Sequence, residues 1–145
     1  MSLLFSRQCE YALQAVLYLA KIKSGKMISI KEMAGQLDIP YHYLAKILQN
    51  LSNKGILKSV KGRTGGFALR VPVDQITLLD VIDAVDGPAV KYTCVMGFGD
   101  CSEENPCALH NEWVRLRTGL FDVLNDKNVI QLAKEMRKPE YEILT

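Results

Sequence analysis

The sequence contains 145 residues, of which 48% are hydrophobic and 23% are charged. This is the length of one ordinary domain, which can bury a core without disulfide bonds. The composition excludes collagen-like and disordered proteins, and no apolar run reaches the roughly 18 residues of a membrane-spanning helix. No segment has the pattern of a signal peptide, so the sequence predicts a cytoplasmic protein without a membrane partner.

The net charge of +2 conceals an uneven distribution. Residues 1–72 contain 11 Lys or Arg against 3 Asp or Glu, a net charge of +8. Residues 73–145 contain 7 against 13, a net charge of −6. Such asymmetry suggests that the first half faces a polyanion, although a basic surface can also be merely solvated.

The first half of the chain predicts three helices. Apolar residues recur at steps of three and four over Phe5–Lys23, which indicates an amphipathic helix. Ser29 begins a capping box and a short helix that extends to about residue 36. Pro40 suits the first turn of a third helix, and Gly55 closes that helix just beyond residue 53.

The remaining elements are a hairpin and three more helices. Two β-prone runs at 56–60 and 67–71 flank a basic, glycine-rich loop and predict a β-hairpin. Thr77 caps a helix that stops at Gly87, and residues 89–104 have no period and are predicted to form a loop. Asn105-Pro106 is expected to open a long helix to about Asn125, and a short helix follows at about 128–137. The fold class is therefore mainly α with a small hairpin, in a single domain over 1–145.

Two short helices followed by a basic hairpin predict a winged helix-turn-helix that binds double-stranded DNA. The helix-turn-helix covers 28–54, with its second helix in the major groove, and the wing covers 56–71 and approaches the phosphates or the minor groove. The alternative is a three-helix fragment that contacts proteins. The residues predicted to contact DNA are Tyr41, His42, Lys46, Gln49 and Asn50 on the helix, and Lys58, Lys61 and Arg63 on the wing.

Further motifs are spread over nearly the whole chain. They are Glu10-Tyr11-Ala12-Leu13, Ile39-Pro40 with Tyr43-Leu44 and Ile47-Leu48, Gly62 with Gly65-Gly66-Phe67, and Val81-Ile82 with Ala84-Val85-Asp86. Together they resemble the Rrf2-type winged-helix transcriptional regulators, and the wing motif is the most specific of them. The resemblance implies a homodimer that binds a near-palindromic operator, and we expect a repressor.

Three of the four cysteines lie within fourteen residues, in the pattern Cys94-x6-Cys101-x5-Cys107-x2-His110. In a reducing compartment, clustered cysteines favour a metal or redox role. We expect Cys107 to lie in the first turn of the long helix, where its pKa would be lowered. Three thiolates in one loop could hold an iron–sulfur cluster. A structural zinc site and a disulfide are the alternatives. Cys9 lies on an apolar helix face and is predicted to be a buried, unreactive thiol.

The family resemblance bears on the cluster and its fourth ligand. Family members that sense iron–sulfur status carry a three-cysteine loop of similar spacing, although the first gap is one residue longer here. This implies a cluster on Cys94, Cys101 and Cys107 in the loop 89–107, with His110 favoured as fourth ligand of a 2Fe–2S centre. In other relatives a carboxylate on the first helix of the partner subunit reaches the cluster. Glu10 is therefore the alternative ligand, compatible with 2Fe–2S or 4Fe–4S.

The long helix carries an apolar stripe with spacings of four, three, four and three. This pattern is typical of a helical seam and predicts a dimerisation helix over 105–125, unless the stripe packs inside the subunit. Its members are Leu109, Trp113, Leu116, Leu120 and Val123.

The sequence thus predicts a regulator that responds to redox state, nitric oxide or iron–sulfur supply. A regulator with a zinc site or reactive thiols and no cluster is the alternative. An enzyme is not expected, because no nucleophile–base pair and no cofactor fingerprint occur.

Overall fold

The computed structural model describes residues 4–22, 26–70 and 72–136. Within them the chain is mainly helical, with one two-stranded antiparallel hairpin, and the predicted fold class is confirmed. None of the helices in these ranges is both long and apolar enough to span a membrane. The elements are α1 (Arg7–Lys21), α2 (Ile30–Leu37), α3 (Tyr41–Asn53), β1 (Leu57–Val60), β2 (Gly66–Leu69), α4 (Leu78–Val85), α5 (His110–Asp126) and α6 (Val129–Glu135), with 3-10 turns at Val73–Gln75 and Pro88–Lys91.

The start of α1 is fixed to the end of α4. The Ser6 hydroxyl caps α1 by accepting a hydrogen bond from the Cys9 amide at 3.1 Å. The Ser6 amide in turn donates to the Asp86 carboxylate at 2.9 Å, and the Ser6 hydroxyl contacts the same carboxylate. α1 is therefore shorter than predicted, and Lys23 lies outside the described residues.

α2 and α3 form the helix-turn-helix. Ser29 caps α2 by accepting a hydrogen bond from the Glu32 amide at 3.1 Å, which is one of the two hydrogen bonds of the predicted capping box. Asp38 adopts a left-handed conformation with φ of 54°, which turns the chain sharply between the two helices. Pro40 occupies the cap position of α3 rather than its first turn. The face of α3 that packs on the core consists of Leu44, Ile47, Leu48 and Leu51.

The hairpin is joined to the segment that precedes α2. Leu57 lies opposite Leu69 in the β1–β2 register, and both strands are shorter than predicted. Ile28 and Phe67 exchange two backbone hydrogen bonds of 2.9 and 2.8 Å. Gly66, with φ of +149°, allows this approach, because a Cβ there would lie 2.3 Å from the Ile28 carbonyl oxygen. The predicted strand residue Val71 lies outside the described residues.

The core lies where α1 packs against α3, α4 and α6. Thr77 and Asp80 form a reciprocal capping box at the start of α4. The Val129 amide donates to the Ile76 carbonyl at 2.7 Å, which anchors α6 beside the segment that leads into α4. Val129 itself is fully buried.

The long helix α5 begins at His110 and not at Asn105 as predicted. The residues before it form turns: the His110 amide donates to the Cys107 carbonyl at 3.2 Å, and the Asn105 amide donates to the Ser102 hydroxyl at 3.3 Å. Pro106 therefore lies in the loop, where the chain turns around the cysteines before α5 begins. On α5 only His110 is buried in the described part of the subunit, and Leu116 and Val123 are 65% and 71% exposed.

Candidate functional site

The loop between α4 and α5 folds around a cavity of about 570 Å³, which we call the cysteine cavity. Three of the predicted metal ligands are the cavity's cysteines, and the fourth is the buried histidine that begins α5. As they stand, no three Cys, His, Asp or Glu side chains of the described ranges form a metal-ligand set. The lining residues are Cys94, Met96, Phe98, Asp100, Cys101, Ser102, Asn105, Pro106, Cys107, Ala108 and His110.

The loop wraps its own backbone around the Cys94 sulfur. A short antiparallel contact between Thr93 and Asp100 closes the loop, with the Cys94 amide donating to the Gly99 carbonyl at 2.7 Å. The Met96 amide donates to the Cys94 sulfur at 3.4 Å. Backbone amides, that of Phe98 first and that of Met96 next, lower the pKa of the Cys94 thiol. The surroundings of Cys94 thus favour the thiolate that a metal ligand requires.

Cys107 has the opposite tendency. The Leu109 amide lowers its pKa, but desolvation and the neighbouring Cys94 and Cys101 thiols outweigh that effect and raise the pKa. The predicted lowering at a helix N-terminus is therefore wrong, since Cys107 precedes α5. A cationic centre placed between the sulfurs would favour the thiolate of Cys107 as well.

The two candidates for the fourth ligand lie in different surroundings. His110 lines the cysteine cavity and is only 9% exposed. Glu10 lies on α1 and is not among the residues that line the cavity. Its Oε1 atom is buried and has no hydrogen-bond partner in the described part of the subunit.

Cys9 has the properties expected of an unreactive thiol. It is fully buried on α1, and burial, with a further contribution from Asp86, raises its pKa to about 12. The thiol therefore stays protonated at neutral pH. Cys9 is separate from the cysteine cavity and is not among its lining residues.

Two residues of α5 contact the loop in a way that the sequence analysis missed. Arg117 Nη1 lies 3.1 Å from Cys101 Sγ and 3.4 Å from the Thr93 carbonyl oxygen. Trp113 Nε1 donates to the same carbonyl at 3.1 Å. The spacing of His110, Trp113 and Arg117 by three and four places them on one helix face, and this signal could have revealed them.

The predicted DNA-binding residues are mostly exposed. On α3, Tyr41 is 48% exposed, and His42, Lys46 and Gln49 are also exposed. On the hairpin, Lys58, Lys61 and Arg63 are exposed.

Asn50 does not share this exposed face. It is half-buried, and its amide donates to the Ala84 carbonyl at the end of α4 at 3.3 Å. The prediction that Asn50 faces the groove is wrong in this respect, because α4 packs against that side of α3.

Sequence comparison shows similarity to transcriptional regulators over most of the chain. The Rrf2 family, described as "Iron-dependent Transcriptional regulator", matches residues 5–135. A candidate HTH-type transcriptional regulator of Aquifex aeolicus is 36% identical over 133 residues, which cover 90% of this chain and 91% of that protein.

Solved structures show the same similarity. The global cysteine regulator CymR of B. subtilis has a TM-score of 0.77 at 28% identity, covering 92% of this chain and 98% of the other. Staphylococcus aureus CymR has a TM-score of 0.73 at 30% identity, covering 92% and 100%. T. potens IscR has a TM-score of 0.73 at 22% identity, covering 93% and 89%, and supports the fold alone.

Proposed function

Because this chain belongs to the Rrf2 family of winged-helix transcriptional regulators, we propose that an iron–sulfur cluster controls its binding to operator DNA. Like its relatives, the chain is a DNA-binding transcriptional regulator and not an enzyme. The proposed ligands are Cys94, Cys101, Cys107 and His110, and 2Fe–2S is favoured over 4Fe–4S. The observation that carries the proposal is that all four side chains line one cavity.

The donor set fits such a group in its chemistry. Three sulfurs supply the thiolate ligands that hold iron, and a buried imidazole can supply the fourth. Backbone amides around Cys94 favour its thiolate, and the cavity has room for a small cluster. A bound cluster would supply a one-electron redox centre. A histidine ligand, unlike a fourth thiolate, is neutral. Its release on protonation would make the site responsive to pH.

Operator binding would use α3 and the hairpin of two copies of the chain. The exposed side chains of α3 would read the major groove, and Lys58, Lys61 and Arg63 would contact the phosphates. Leu116 and Val123 leave an apolar stripe uncovered on α5, which supports a homodimer on a near-palindromic operator. We expect repression, with redox state, nitric oxide or iron–sulfur supply as the signal.

The path from cluster to DNA would run through α5. Cys107 lies three residues before the first residue of this helix, and Trp113 and Arg117 connect the helix to the cysteine loop by hydrogen bonds. Loss of the proposed cluster, or oxidation of the cysteines, would therefore displace the first turns of α5. Since the proposed dimer seam is on α5, such a displacement would change the distance between the two recognition helices.

The direct test is an anaerobic preparation with iron and sulfide counted for each chain. We expect a coloured protein with equal iron and acid-labile sulfide. Cys107→Ser should abolish the visible absorption, whereas Cys9→Ala, the control cysteine outside the cavity, should retain it. A full chromophore in Cys107→Ser would contradict the assignment of this ligand.

A direct thiol regulator, or a zinc site on the same cysteines, is the second candidate. It is favoured by the hydrogen bond between the Cys107 and Cys94 thiols, which are both free in the structure, and by the similarity to the cysteine regulator CymR. If this alternative holds, the anaerobic protein contains no sulfide. For the thiol regulator, mild oxidation yields a Cys94–Cys107 disulfide, which mass spectrometry detects, and it changes the affinity for the operator. One bound zinc ion for each chain, with no response to oxidation, would instead indicate the zinc site.

A further inference from the structure

Arg117 makes an unusual set of contacts with the cysteine loop. Its guanidinium donates to Cys101 Sγ at 3.1 Å and to the Thr93 carbonyl at 3.4 Å. Trp113, one turn earlier on α5, donates to the same carbonyl at 3.1 Å. The loop residues on both sides of the Thr93–Asp100 pairing are thus held to one face of α5.

The arrangement differs from an ordinary surface arginine. Arg117 is half-buried, and within the described ranges it forms no salt bridge with a carboxylate. Arg115, two residues earlier, is exposed and makes no such contact with the loop. Because a guanidinium is charged at every accessible pH, Arg117 brings a permanent positive charge to a sulfur of the cavity.

We propose that Arg117 is a positioning residue that holds the Cys101 sulfur in the cysteine cavity and links it to α5. The inference rests on the proposed function for its role in sensing, because Cys101 is one of the proposed cluster ligands. Hydrogen bonds and charge at ligand sulfurs tune the reduction potential of such centres. Arg117 would thus influence the cluster electrostatically and transmit the position of Cys101 to the proposed dimerisation helix.

The first experiment needs no cluster. In the reduced, cluster-free protein, Arg117→Ala should speed amide hydrogen exchange at Cys94 and Cys101 by about tenfold or more, since both hydrogen bonds from the guanidinium to the loop are lost. Arg115→Ala is the matched control and should leave exchange at both amides unchanged. Arg117→Lys keeps the charge and should retain much of the protection. Unchanged exchange in Arg117→Ala would overturn the proposal.

The second experiment uses the cluster-loaded protein and measures its reduction potential with dithionite as electron donor. Reduction adds one electron, and a nearby cation stabilises the more negative state. The potential should therefore fall in Arg117→Ala and Arg117→Gln and stay close to wild type in Arg117→Lys and Arg115→Ala. An unchanged potential in Arg117→Ala and Arg117→Gln would overturn the electrostatic role.

The two experiments separate failure of this inference from failure of the proposed function. If wild-type protein binds no iron and sulfide, the proposed function fails, and the exchange measurement still decides whether Arg117 positions Cys101. If wild type is loaded but the Arg117 variants match it in potential and in exchange, only the role of Arg117 is wrong.

Discussion

At the scale of single residues, the proposed cluster has two candidates for its fourth ligand. His110 is a buried residue of the cysteine cavity, whereas Glu10 lies on α1 with one carboxylate oxygen buried and unpartnered in the described part of the subunit. An unpartnered buried oxygen is costly, and contact with a second subunit would relieve that cost. For the proposed cluster, His110 would thus be a ligand from within the subunit and Glu10 a ligand from across the proposed dimer.

Two substitutions distinguish these ligands. If His110 is the ligand, His110→Ala should alter the visible spectrum and shorten the lifetime of the cluster in air. Glu10→Ala should then leave both unchanged. Spectra recorded anaerobically and during exposure to air give the answer. The reverse pattern would assign the ligand to Glu10 and make the cluster a bridge between subunits.

Cys9 gives a prediction about pH. Burial, with Asp86 adding to it, raises the pKa of its thiol from 9.0 to about 12 in the folded protein. Above pH 9 the unfolded chain loses this proton while the folded chain keeps it. The free energy of unfolding should therefore be unaffected by Cys9 below pH 9 and fall by up to about 1.4 kcal/mol per pH unit from pH 9 towards pH 12. Urea denaturation on both sides of pH 9 should show that the free energy of unfolding falls less steeply with pH in Cys9→Ala than in the wild type. Identical slopes in the two proteins would contradict the raised pKa of Cys9.

At the scale of elements, the junction between the hairpin and α2 depends on one glycine. Gly66→Ala would introduce a Cβ 2.3 Å from the Ile28 carbonyl oxygen at a left-handed φ of +149°. We expect a loss of stability of about 2 kcal/mol or more, measured by thermal unfolding. Gly35→Ala is the control: it lies in α2 with no atom near the added methyl group and should stabilise the protein by about 0.5–1 kcal/mol. Equal changes of stability in Gly66→Ala and Gly35→Ala would show that the junction between the hairpin and α2 tolerates a side chain.

The hairpin and α3 should contribute differently to DNA binding. Lys61→Ala and Arg63→Ala should weaken binding to specific and random duplexes alike, each reducing the salt slope by about one unit. Gln49→Ala should cost roughly 1–3 kcal/mol on the specific operator only. Fluorescence anisotropy titrations at several salt concentrations separate the two effects. Wing variants with wild-type affinity at every salt concentration would exclude the hairpin from the DNA interface.

The elements could be predicted where the signal is local, and not where it depends on packing. The caps at Ser29 and Thr77 follow from neighbouring residues and were predicted correctly. The start of α5 was misplaced because Pro106 is compatible with a helix, but the chain there turns around the cysteines. The Asn50 contact depends on how α4 packs against α3, which sequence spacing does not contain. For Arg117 the spacing indicates a helix face shared with His110 and Trp113, but the contact with Cys101 depends on how the loop packs against that face.

At the scale of the whole molecule, α5 is a long helix that the described subunit covers little, since His110 alone among its residues is buried there. Leu116 and Val123 are largely exposed, so these two members of the predicted seam do not pack inside the described subunit, whereas Trp113 and Leu120 are half-buried. An apolar stripe of this kind on a helix of 17 residues is typical of a surface covered by another chain. This supports the proposed homodimer without involving the cysteine cavity, since neither residue lines it.

The dimer can be tested on residues that do not contact the loop. Leu116→Glu with Val123→Glu should give folded monomers, because like charges would face each other across the seam, and operator affinity should collapse. Thr118→Glu, on the exposed opposite face of α5, is the control and should remain dimeric. Sedimentation velocity measures the oligomeric state and circular dichroism the fold. A double variant that stays dimeric would locate the interface elsewhere.

The backbone pairing of Ile28 with Phe67 bears on how the proposed switch would act. It binds the hairpin to the start of the helix-turn-helix, and the Ser52 hydroxyl further joins α3 to β1 through the Leu57 carbonyl at 3.3 Å. The helix-turn-helix and the hairpin are thus joined by hydrogen bonds at two places, which would favour their moving as one unit. A signal from the cysteine loop would leave each half-site contact intact and act on whether two units bind at once. Because bivalent attachment can change affinity by about 10²–10⁴ without any new contact, a small change in spacing would be enough to release the operator.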